Sequence, residues 1–60
     1  MKFYCVRHRY LDDGHIKINV FTVEADSKPQ PTVNEDLDEF WDYFSTPEAA
    51  EDFAAKLKSL

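Results

Sequence analysis

The sequence predicts an α+β fold, a three-stranded antiparallel sheet packed on one C-terminal helix. Three observations predict it. Two runs rich in β-branched and aromatic residues flank Asp12-Asp13-Gly14, a hairpin signal. Four aromatics crowd the five residues from Phe40 to Phe44, and Thr46-Pro47-Glu48 directly after them is a complete helix start.

Lys2 to Leu11 and His15 to Glu24 are the hairpin strands, and their register follows from the hydrophobic pattern. A two-residue Asp13-Gly14 turn would put Arg7 and Arg9 on the face of Ile18 and Val20. A three-residue loop, with Gly14 in the left-handed region, shifts the pairing by one. Tyr10 then opposes Ile16, His8 opposes Ile18, Val6 opposes Val20 and Tyr4 opposes Thr22, a coherent inner face. The outer face collects Phe3, Cys5, Arg7 and Arg9 with Lys17, Asn19, Phe21 and Val23.

Ala25 to Asn34, with Pro29 and Pro31 among polar residues, reads as an irregular connection. The next segment fits two periods. As a helix capped by Asn34, it would line up Leu37, Phe40, Trp41 and Phe44, leaving a β-hairpin plus two helices as the alternative fold. As a strand over about Glu39 to Phe44, Trp41 and Tyr43 point one way and Phe40, Asp42 and Phe44 the other. The strand is preferred, because a hairpin alone is a poor platform for a helix and three strands make an adequate one.

From Pro47 to Ser59 the pattern is helical. Ala50, Phe53, Ala54 and Leu57 form one apolar stripe, with Glu51, Asp52, Lys56 and Lys58 around it. Phe53 and Leu57 are expected to anchor on Val6, Ile18, Val20 and Trp41. The whole chain resembles small uncharacterised bacterial and phage proteins with two strands, a Pro-containing loop, an aromatic strand and a helix opening on a Phe-x-Thr/Ser-x-Glu-x-Ala pattern. The matching residues are Lys28-Pro29, Phe40 to Phe44 and Thr46 to Ala50. That resemblance implies the element order and no activity.

Sixty residues are read as one domain with a thin core, and a single cysteine excludes an internal disulfide. Self-association is the remaining aid to stability, and a homodimer is expected through the outer sheet face with Phe3, Phe21, Phe40 and Phe44. A lone Cys5 suits a reducing, cytoplasmic setting, and no apolar run approaches the roughly 20 residues that span a bilayer. Net charge is −5, which disfavours bulk affinity for nucleic acid. The charge is polarised: the first 20 residues hold four cations against two acids, whereas residues 21–45 hold seven acids against Lys28.

Catalytic signals are sparse. His8 is the tempting catalytic candidate, but no nucleophile is arranged with it, so it reads as a partly buried histidine bonded to a neighbour. Cys5 and His8 fall on opposite strand faces and make a poor metal pair. Gly14 is the only glycine, so there is no phosphate-binding loop. Asp12-Asp13 reads as turn chemistry. Glu35, Asp36, Asp38, Glu39 and Asp42 read as an acidic surface. No catalytic residue, cofactor or metal is expected.

The expected function is therefore a non-enzymatic intracellular interaction module with a protein partner. Its candidate contact residues are Phe3, Arg7, Arg9, Lys17, Phe21, Phe40 and Phe44, a basic and aromatic sheet face. A narrower version is a phage-type acidic inhibitor of a nucleic-acid-handling protein. The rival is a nucleic-acid binder using the same face, since open sheets stack bases on aromatics and hold phosphates with Arg and Lys.

Overall fold

The structure is a computed structural model describing residues 1–59. Strands β1 (Lys2–Tyr10), β2 (Ile16–Glu24), β3 (Thr32–Asn34) and β4 (Glu39–Phe44) precede helix α1 (Pro47–Lys58), with one 3-10 turn, Glu35–Leu37, between β3 and β4. The fold is α+β, with the four strands antiparallel in the order β2-β1-β4-β3. One strand more is present than the sequence indicated. Thr32–Asn34 lies in the segment read as irregular, and its three residues beside two prolines offer no periodic signal.

The hairpin has the predicted register: Tyr10 opposes Ile16, His8 opposes Ile18 and Val6 opposes Val20. Gly14 adopts φ 90°, and Leu11 N–H donates to the His15 carbonyl at 2.9 Å, closing a three-residue loop. Only a residue without Cβ enters that conformation cheaply. Asp13 adds an Asx-type lock, its carboxylate accepting from the His15 backbone N–H at 3.0 Å and lying 2.9 Å from His15 Nδ1. These two bonds hold its carboxyl below the usual range.

At the helix start Thr46 is extended and its hydroxyl accepts from Ala49 N–H at 3.2 Å, with Pro47 in the first turn. Ala50, Ala54 and Leu57 are buried and join Val6 in the core, flanked by Tyr4, Ile18, Phe44 and Phe53. The two alanines matter as much as the large residues, because small side chains let the helix approach the sheet. No described helix is long and apolar enough to cross a membrane.

Two placements differ from expectation. Phe40 and Phe44 oppose His8 and Tyr4, so they lie on the helix side, whereas Trp41 opposes Arg7 on the other face. Trp41 therefore does not anchor the helix; Phe44 does, with its ring 5.3 Å from that of Phe53. Val20 is on the helix side but remains 45% exposed, since β2 is an edge strand that one helix cannot fully cover.

Leu57→Ala is expected to lower stability by about 2–4 kcal/mol, and Val20→Ala by about 1 kcal/mol or less. Urea melts of both variants check this, and equal losses would mean that the helix sits over β2.

Candidate functional site

The helix-free face is built from odd-numbered positions of β1, β2 and β4. Across its middle, Phe21, Arg7 and Trp41 converge from three neighbouring strands. The Arg7 guanidinium carbon lies 5.9 Å from the Phe21 ring centre and 5.5 Å from that of Trp41. The two rings meet edge to face at 5.7 Å and 85°. Cation–π contacts of this kind are worth about 0.5–1 kcal/mol each where exposed. Trp41 Nε1–H donates to Glu39 Oε1 at 2.8 Å, which fixes the indole and occupies the acid.

Beside this stack the charges are poorly matched. Arg9 and Lys17 are directly opposed cross-strand neighbours, an arrangement that like charges disfavour. Among the described residues no carboxylate lies within ion-pair distance of Arg7, Arg9 or Lys17. These three cations, with Asn19 and Glu39, border a hollow of about 240 Å³. Against the three, Glu39 is the only acid on the face among the described strand positions.

Of the residues predicted for this surface, Arg7, Arg9, Lys17 and Phe21 are brought together. Phe40 and Phe44 belong to the opposite face, as their pairing with His8 and Tyr4 dictates. Phe3 is on the predicted face but only 4% exposed. It lies at the sheet end around which the chain must pass from β2 to β3, and residues Lys28 to Pro31 border a cleft there with Tyr43 and Phe44. Trp41 joins this cluster although the sequence does not point to it. The parity of β4 hides it, because both faces of that strand carry aromatics.

The five acids also separate. Glu35 and Asp36 occupy the turn before β4, and Asp38 caps it with φ 48°. Its carbonyl accepts from Tyr10 N–H at 3.1 Å, prolonging the β1–β4 pairing. Glu39 is held by Trp41, and Asp42 faces the helix side.

There Asp42 meets His8. Asp42 Oδ2 is 2.8 Å from His8 Nε2, and the Tyr10 hydroxyl is 3.1 Å from His8 Nδ1. With the neutral imidazole protonated on Nε2, Asp42 accepts from His8 and His8 accepts from Tyr10. Phe40 stacks on the imidazole at 5.3 Å and 17°, while Phe53 meets its edge at 5.4 Å. His8 is 6% exposed, so the bonded neighbour expected from the sequence is a carboxylate and a phenol together.

The order carboxylate, imidazole, hydroxyl is the one that activates a nucleophile. Here the hydroxyl borders an open apolar cleft of about 390 Å³ with His8, Phe40 and Asp38. Among the four residues that border it, Asp38 is an acid, a side chain that offers a developing anion no cation. No group of three or more metal-ligating side chains occurs among the described residues.

Cys5 is fully buried on the helix-free face between its cross-strand neighbours Phe21 and Tyr43. Burial pushes its thiol above the ordinary value, and burial followed by the neighbouring Cys5 pushes the Tyr43 phenol up. No protein-family model, curated protein or solved structure matches the chain.

Asp42→Leu should cost about 1–3 kcal/mol by leaving a buried imidazole N–H unpaired. Adding His8→Phe should recover about 1 kcal/mol or more of that loss in a double-mutant cycle. Additivity within about 0.3 kcal/mol would show the pair to be energetically idle.

The raised Cys5 and Tyr43 values favour the protonated forms in the fold, so their contribution is complete below the ordinary values and lost as pH rises through the folded ones. The urea midpoint should therefore fall above about pH 9, and Cys5→Ala should flatten that fall.

Proposed function

We propose that this chain is a non-enzymatic interaction module whose helix-free sheet face docks an acidic segment of a protein partner. The observation that carries the reading is the opposed pair Arg9 and Lys17, with no described carboxylate at ion-pair distance and only Glu39, the β4 neighbour of Arg9, to set against them, beside Arg7 stacked on Phe21 and Trp41. A carboxylate-bearing segment would relieve the repulsion, while the aromatic–arginine cluster supplies the side-chain types that dominate interface energetics. The lone buried thiol suits a reducing compartment as the working location.

Single-stranded nucleic acid is the second reading, favoured by aromatic side chains and cations lying together on one open sheet, though Arg7 already packs over the two rings. The duplex form fits poorly. Three or four phosphate contacts would have to outweigh a net charge of −5. The phage-type inhibitor version draws on Glu35, Asp36 and Asp38 alone, because Glu39 and Asp42 are engaged elsewhere. Three acids in one turn support it less than the basic face supports an acidic partner.

Trp41 is the only tryptophan, so its emission reports directly on this face. An acidic peptide should change it saturably, with affinity reduced about tenfold or more by Arg7→Ala and abolished by Arg9→Glu. Duplex DNA at physiological salt should leave it unchanged. Tighter saturation by oligo-dT would promote the nucleic-acid reading, and silence towards every ligand would remove this face as a binding surface.

A further inference from the structure

The two sheet edges are treated differently. β3 is three residues long and runs straight into a 3-10 turn, which leaves little template for another strand. β2 is nine residues long, contains no proline, and forms the opposite edge. Its hydrogen-bond phase follows from the bonds at its two ends. Leu11 N–H donates to the His15 carbonyl and Ala25 N–H to the Met1 carbonyl, so odd-numbered β2 residues bond to β1. Ile16, Ile18, Val20, Thr22 and Glu24 therefore aim their backbone N–H and C=O groups outward, and among the described residues no strand takes them.

We propose that β2 pairs antiparallel with β2 of a second copy about a two-fold axis at Val20, joining the two sheets into one of eight strands. The strand is self-complementary in this register. Val20 is its central residue and meets Val20 of the second copy, burying the valine that the helix leaves 45% exposed. Ile18 meets Thr22, and Ile16 meets Glu24. Five outward residues per chain, each donating once and accepting once, make ten backbone bonds across the seam.

Charge favours a second copy over an unrelated strand. Lys58 borders the same hollow as Ile16 and Ile18, so the register brings Glu24 of the second copy towards it. Within one chain Glu24 faces Lys2 of β1, and among the described residues its one partner at ion-pair distance is the exposed terminal amine, 3.7 Å away, a kind of pair that contributes little. Lys17 meets Val23, and the two Lys17 positions stand six residues apart along the seam, about 20 Å. No like charges are opposed.

The two-fold axis also keeps both helices on one side. The helix-free faces then run on continuously, with the two Arg7 strands three spacings apart, about 14 Å. That exceeds a Debye length of roughly 8 Å at physiological salt, so repulsion between the basic clusters is largely screened. Pairing at this edge leaves the docking face free, and the proposal stands whether or not that face binds an acidic partner.

Sedimentation equilibrium between about 10 µM and 1 mM should show the mass rising from monomer towards dimer, in the range of weak, small interfaces. Val20→Lys sets like charges opposite one another and should weaken dimerisation at least about tenfold. Trp41→Ala should leave it unchanged. Amide exchange of the wild type supplies a test free of folding defects: the amides of Ile16, Ile18, Val20, Thr22 and Glu24 should gain protection as concentration rises. A monomer throughout, dimerisation lost in Trp41→Ala but kept in Val20→Lys, or no added protection at those five amides would each overturn the proposal.

Discussion

One helix cannot cover two faces of a sheet, and the rest of this molecule is arranged around that shortage. Twelve residues of α1 make a cylinder about 18 Å long and about 10 Å wide, whereas four strands span about 14 Å between outer axes and up to nine residues along. The helix therefore protects the centre of its own face and leaves both flanks thinly covered. Val20 is exposed on one flank, and the cleft beside Tyr10 and Phe40 opens on the other. On the far face no helix is present, so aromatic side chains must cover the backbone themselves. Phe21 and Trp41 reach over β1 from either side, and Arg7 closes the gap between them.

The two faces handle charge in opposite ways. Behind the helix every polar atom of the buried cluster has a partner: Asp42, His8 and Tyr10 are joined in series and walled by Phe40 and Phe53. A satisfied network of this kind fixes the register of β1 against β4, because sliding either strand by one residue would bury an unpaired imidazole. On the open face three cations are gathered with only Glu39 beside them and no described carboxylate at ion-pair distance. Water can solvate them there, and the cost of holding Arg9 opposite Lys17 is small enough for the fold to carry. The closed network explains stability. Arg7 shares in covering the sheet, whereas the opposition of Arg9 and Lys17 has no such task, and for that reason the pair carries the functional reading.

How far residues alone revealed this depends on how local each signal was. The hairpin register was legible because a one-residue error would have put arginines under the helix, and the helix start because Thr46 and Pro47 act within one turn. β3 left no trace, since three residues carry no periodicity and its existence depends on pairing with β4. The facing of β4 was the costly ambiguity. Phe40, Trp41, Tyr43 and Phe44 make both faces aromatic, so hydrophobicity cannot choose between them. The informative residue was Asp42: a carboxylate at the centre of an aromatic strand favours a face that offers hydrogen-bond donors, and the inner face offers His8 with the hydroxyls of Tyr4, Tyr10 and Thr22. That chemical pairing would have put Phe40 and Phe44 behind the helix and Trp41 on the open face.

The placement of Trp41 changes the kind of surface this face can be. Four phenylalanines would have formed a greasy patch, satisfied by any apolar partner. Phe3 is instead buried, two of the four lie behind the helix, and what remains is half-buried rings under a guanidinium. Arg7 already packs over both rings, so a partner meets a planar cation together with carbon. Such a group rewards carboxylates or planar π systems and rewards aliphatic surface little. On the proposed reading, the arginine that shields the aromatics from water is thus also the element that would make the surface selective. Selectivity of that origin is electrostatic, and it should weaken with salt before the rings lose their packing.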